Sequence, residues 1–114
     1  MPKILLVDDE LAIVEVLSMI LDDAKYETRV ALDGIAALAI VDGWLPDVII
    51  SDWQMPKMNG EELLNHLKSN DRLRKIPVIA ISATPPVSEL RLAALLQKPF
   101  AVEKLLRLIS KTVG

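Results

Sequence analysis

The sequence predicts an α/β domain in which a parallel sheet is covered on both faces by helices. Short, uninterrupted apolar runs stop abruptly at polar residues: Ile4-Leu5-Leu6-Val7, Val48-Ile49-Ile50 and Val78-Ile79-Ala80-Ile81. Segments with helical spacing alternate with them. The hydrophobic fraction is 52% and the mean hydropathy +0.36 in 114 residues, which suits strands buried on both sides better than a disordered chain. At this length one domain, 1–114, is expected, since a second would lack the sequence for its own core.

Each element follows from its residues. The first run ends at Asp8-Asp9-Glu10, after which Val14, Leu17, Leu21 and Ala24 recur on one helical face. Thr28 to Ala31 is a weaker strand. Asp33-Gly34 opens a second helix through Ile35, Leu38 and Ala39, which Gly43 ends. Pro46 precedes the strand Asp47 to Ser51, which runs into Asp52. Pro56 prevents the segment Trp53 to Met58 from continuing the strand. Asn59 with Glu62 forms a capping-box pattern for a third helix through Leu63, Leu64 and Leu67. The strand Pro77 to Ile81 ends at Ser82, and Ala93 to Leu96 leads to Lys98. Val102, Leu105, Leu106 and Ile109 mark a final amphipathic helix. Alternating elements at this spacing imply right-handed crossovers between parallel strands.

Composition excludes several functions. The net charge is -3, with no basic run, so no nucleic-acid-binding surface is expected. There is no cysteine, which removes disulfides, thiolate metal sites and cysteine nucleophiles. The apolar runs fall short of a membrane span, and the N-terminus does not match a signal peptide, so no membrane contact and a cytoplasmic location are expected.

The positions of the polar residues are more informative. In an open parallel sheet all strand carboxyl ends share one edge, where ligands bind. Asp8, Asp9, Asp52, Ser82 and Lys98 all follow apolar strands and would converge there. Two carboxylates about 4 Å apart repel by roughly 4 kcal/mol at an effective dielectric of 20, so three ionised acids call for a cation. Oxygen-only ligands favour a hard ion, and Mg²⁺ tolerates a site that keeps several waters. Its charge, with Lys98 and the Ser82 hydroxyl, would offset that of a phosphoryl group being transferred to Asp52. Taken singly, each residue has a structural explanation: Asp9 as a helix cap, Asp52 as a loop acid, Ser82 as a turn residue, Lys98 as a solvated amine. Chance would scatter them rather than place all at strand ends.

These residues resemble the receiver domain of response regulators in two-component signalling. The matching segments are Ile4 to Glu10 (ILLVDDE), Asp47 to Gly60 (DVIISDWQMPKMNG), Pro77 to Ala83 (PVIAISA) and Lys98-Pro99-Phe100. The resemblance implies a flavodoxin-like five-stranded sheet of order 2-1-3-4-5. It also implies that Asp52 accepts a phosphoryl group from a phosphohistidine on a sensor histidine kinase or phosphotransfer protein. Asp8, Asp9, Asp52 and the backbone carbonyl of Gln54 would then hold Mg²⁺, Asp8 through water. Ser82 and Lys98 would contact the phosphoryl group, and the Lys98-Pro99 peptide would be cis. Such a protein catalyses only its own phosphorylation and dephosphorylation, and switches the binding of a downstream protein target.

The sequence departs from the family in three respects. Ser82 and Lys98 are closer than usual, and Pro85-Pro86 delay any helix until about Val87, so the fourth helix of the family is expected to be shortened or missing. Leu95 stands where the family has an aromatic ring coupled to the Ser/Thr movement. No output domain is expected after Gly114. A short fourth helix would leave Leu90, Leu92, Leu95 and Leu96 partly uncovered, suggesting self-association through 87–96 or, equally, a rearranged covering loop. His66 is expected to be solvated, Trp44 to pack a loop, and Trp53 to report metal binding by fluorescence. Two rival functions remain. An aspartate-based hydrolase would place a second acid where Gln54 stands. A degenerate receiver would serve only as a phosphorylation-independent interaction module.

Overall fold

The computed structural model describes residues 1–84 and 92–114. Five strands, β1 (Lys3–Val7), β2 (Glu27–Ala31), β3 (Val48–Asp52), β4 (Val78–Ser82) and β5 (Ala94–Gln97), form one sheet in the order β2-β1-β3-β4-β5, every pair parallel. The described helices are α1 (Leu11–Asp23), α2 (Gly34–Val41), α3 (Gly60–Lys68) and α4 (Val102–Val113). The expected order 2-1-3-4-5 is the observed one.

Strand alternation builds two cores, one on each face of the sheet. Ile4, Leu6, Val48, Ile50, Ile79, Ile81 and Leu96 face α1 and α4, meeting Val14, Leu17, Leu21, Leu105 and Ile109. Leu5, Val7, Ile49, Val78 and Ala80 face α2 and α3, meeting Ala37, Val41, Leu63, Leu64 and Leu67. Burial on both sides is why β1, β3 and β4 read as unbroken apolar runs. The edge strands β2 and β5 are buried only at alternate or single positions, which is why their patterns are weak.

The helix ends have identifiable causes. Lys25, at φ 71, ends α1: its N–H bonds to the Asp22 carbonyl and that of Tyr26 to Leu21. Asp33 caps α2 by accepting the Ala36 N–H at 2.8 Å, and the Arg72 guanidinium covers the far end by donating to the Val41 and Asp42 carbonyls. Trp44 packs beneath the sheet edge as expected, with Arg29 4.7 Å from its ring centre and its indole N–H on Glu27. His66 is exposed.

The capping box of α3 is complete. Asn59 accepts the Glu62 N–H at 2.9 Å and Glu62 accepts that of Asn59 at 3.2 Å. Asn59→Ala is expected to cost about 1 kcal/mol of stability in urea unfolding, because it strands the Glu62 N–H.

The structural alternative for Asp9 does not hold: it does not cap α1, where the capping position is Glu10, whose N–H is accepted by Asp8 at 3.0 Å. Which acid turns inward depends on the loop's rotation, which residue order does not encode. One expectation needs correction. Leu96 is not part of an uncovered patch: it is 1% exposed, because the pleat points it toward α1 and α4. Leu95, on the opposite face, is 39% exposed, and Leu92 packs against the core beneath α2 and α3. The expected shortening of the family's fourth helix, and Leu90 with the rest of 87–91, lie outside the described residues.

Candidate functional site: an acidic cluster at the strand ends

The register brings the polar residues level. Val7 pairs with Ser51, so Asp8 stands beside Asp52; Ser82 pairs with Gln97, so Lys98 follows one step beyond. The Lys98 N–H bonds to the Ser82 carbonyl at 2.9 Å and fixes that step. Strand order reverses between β1 and β3, and in such sheets the crevice at this reversal receives ligands. Asp8 and Asp9 lie on one side of it and Asp52 on the other.

Carboxylate oxygens of Asp8, Asp9 and Asp52 lie within 4.8 Å of one another. Asp8 and Asp52 are buried and Asp9 is exposed. The Lys98 Nζ sits 3.3 Å from Asp52 Oδ1. Burial pushes the Asp8 carboxyl above its usual range, and the charges of Asp52 and Asp9 add to this; the Glu10 N–H and the Lys98 ammonium oppose it. One ammonium among three acids leaves net negative charge at the crevice. This donor set fits a hard divalent cation: all oxygen, two acids already desolvated, and one open to water.

The Ser82 hydroxyl is buried beside this cluster. It donates to the Thr84 carbonyl and accepts the Thr84 N–H at 3.2 Å, so it is engaged within its own loop. The Lys98-Pro99 peptide is cis, as the resemblance implied. Trp53 is buried directly after Asp52, its N–H held by the Ile81 carbonyl at 2.9 Å, while Gln54 is exposed at the start of the loop that follows.

A family model described as the response regulator receiver domain matches residues 4–110. The chain belongs to the response regulator receiver family. Over 113 residues this receiver is 33% identical to the DNA-binding dual master transcriptional regulator RpaA of Synechocystis sp., covering 93% of this chain and 46% of that protein. It is 36% identical over 111 residues to the response regulator MprA of Mycobacterium avium, covering 91% and 47%. The receiver thus spans about half the length of these curated relatives. Among solved structures, the chemotaxis response regulator CheY4 of Vibrio cholerae superposes with a TM-score of 0.90 at 32% identity, covering 98% of each chain. The receiver domain of a Pseudomonas aeruginosa sensor histidine kinase, solved with a magnesium ion coordinated in its active site cleft, shares the fold (TM-score 0.91, 24% identity, 99% and 98% covered).

Asp8, Asp9, Asp52, Ser82 and Lys98, named from sequence, lie at one edge of the sheet, and Gln54, named for its backbone carbonyl, is two residues beyond Asp52. Sequence reading missed the residues that brace the loop after Asp52. Lys57, at φ 66, is the centre of a turn closed by the Met58 N–H on the Pro56 carbonyl at 2.8 Å. A non-glycine residue held at such a φ costs on the order of 1–3 kcal/mol and persists only where its surroundings hold it. Asp33 and Gly34, read from sequence only as a helix start, supply part of that support.

Proposed function

We propose that this receiver takes a phosphoryl group onto Asp52 from a histidine kinase or phosphotransfer protein in a Mg²⁺-dependent reaction. The phosphorylated form then alters binding to a downstream protein target. The observation that carries this reading is the pairing of a buried Asp52 with Lys98 at 3.3 Å, inside a cluster of three carboxylates at the sheet's switch point.

Asp8, Asp9, Asp52 and the Gln54 carbonyl would hold the ion, Asp8 through water. When bound, Mg²⁺ supplies positive charge to phosphoryl oxygens and relieves repulsion among the acids. In the transfer, an Asp52 carboxylate oxygen attacks phosphorus. The new P–O bond makes an acyl phosphate, the P–N bond to the donor imidazole breaks, and the imidazole leaves with its electron pair and takes up a proton. Lys98 moves its ion pair from the Asp52 carboxylate to the incoming phosphoryl oxygens. Ser82 exchanges the Thr84 carbonyl for a phosphoryl oxygen, which couples the chemistry to the loop after β4. The chain in this reading catalyses only its own phosphorylation and dephosphorylation.

In this reading the partner is a protein rather than a nucleic acid, in keeping with the net charge of -3, and the location is cytoplasmic. The binding-module alternative draws on Leu95, which cannot act as the family's coupled ring.

Incubation with a small acyl-phosphate donor and Mg²⁺, followed by intact-mass measurement, tests the reading. Wild type is expected to gain one phosphoryl group, while Asp52→Asn and chelated samples gain none. Failure of wild type to gain it from any donor would favour the binding-module alternative.

A further inference from the structure

The loop between β3 and α3 is fastened at its base and at its tip. At the base, the Gly60 N–H bonds to the Trp53 carbonyl at 3.0 Å, and the indole lies so close to Gly60 that a Cβ there would fall 2.9 Å from Trp53 Cδ2. At the tip, Met58 presses onto the first residue of α2. A Cβ on Gly34 would lie 2.7 Å from Met58 Cγ, 2.8 Å from its Sδ and 2.9 Å from its Cβ, so any larger residue there would have to displace the methionine. Lys57 reaches Asp33, the cap of α2, at 3.7 Å, but the lysine is largely exposed and such a pair contributes little. Met55, in the same loop, is buried in the core on this face of the sheet, and Met58 adds an apolar contact at the tip, next to the positive-φ turn at Lys57.

Gln54 lies between the two fastenings. We infer that Gly34 and Met58 form a seat that positions the 53–59 loop, and through it the Gln54 carbonyl, for the cation held by Asp8, Asp9 and Asp52. Both are positioning residues; neither touches the reacting atoms. The inference rests on the Mg²⁺-dependent reading above. It goes beyond that reading by assigning metal affinity partly to a contact at the start of a different helix.

The test is Mg²⁺ titration of the full chain without a phosphoryl donor, followed by Trp53 fluorescence, with thermal unfolding measured in parallel. Met58→Ala empties the seat and Gly34→Ala blocks it. Each is expected to weaken Mg²⁺ binding about tenfold, as loss of a supporting contact around a metal site does. Met58→Leu, which refills the seat, is expected to bind within about threefold of wild type. Ile109→Val, in α4 on the opposite face of the sheet, provides a core defect remote from the loop and is expected to lower Tm without moving the titration midpoint.

Wild-type midpoints in both Met58→Ala and Gly34→Ala, with only a loss of Tm, would overturn the seat and leave the phosphoacceptor reading standing. A wild type that neither responds to Mg²⁺ nor gains a phosphoryl group would overturn the functional reading, and the seat with it.

Discussion

Lys98→Ala is expected to slow phosphorylation of Asp52 by a small donor about 10²–10³-fold, the loss typical of removing one preorganised group that stabilises transition-state charge. The Lys98 ammonium is the described cation in ion-pair range of Asp52, at 3.3 Å, and the Lys98 N–H bond to the Ser82 carbonyl sets where its side chain begins. Without it, a donor bringing further negative charge would meet three carboxylates with only the metal to offset them. The side chain is partly solvated, so its removal should change Tm far less than the rate. Lys98→Arg keeps the charge but spreads it over a planar fork, and should recover only part of the rate. Single-turnover phosphorylation followed by intact mass reads both variants. A wild-type rate in Lys98→Ala would remove Lys98 from the mechanism.

Asp8→Asn is expected to have opposite effects on stability and on metal response. In the folded chain Asp8 holds its proton to higher pH than a free aspartate does, first because it is buried and then because Asp52 and Asp9 repel its charge. The folded state therefore binds more protons than the unfolded state once pH rises above about 4, and stability falls as pH climbs through that window. Above the raised folded-state pKa the deficit is fully present. Asparagine keeps an oxygen for the Glu10 N–H while discarding the charge. In chelator at pH 7, Asp8→Asn should raise Tm, and the gain should vanish below about pH 4. With Mg²⁺ the order should narrow or reverse, because wild type gains stability by binding the ion and the variant gains less. A variant less stable than wild type in chelator would show that burying the Asp8 charge beside Asp52 and Asp9 does not cost the folded state stability.

The legible parts of this protein are those that burial writes into residue type. β1, β3 and β4 are covered on both faces, so each appears as an apolar run, and the residue that ends each run stands at the ligand-binding edge. Residue order alone thus places Asp8, Asp52 and Ser82 together at that edge. β2 and β5 were faint because an edge strand has one neighbour and keeps exposed positions among its buried ones. The same pleat that buries Leu96 exposes Leu95, so the two could not share a patch.

Residue order determined the α/β alternation, the central strands, the capping box at Asn59 and Glu62, and the set of acids, hydroxyl and amine that meet at the sheet edge. Tertiary structure alone decided that Asp8 rather than Asp9 bonds the Glu10 N–H, that the Ser82 hydroxyl turns to Thr84, and that Met58 rests on Gly34. The physical reason is range. Periodicity and capping record what a residue does within its own element. The rotation of a loop acid, and the fit of a methionine into a hollow on another helix, are set by the separately folded elements that meet there.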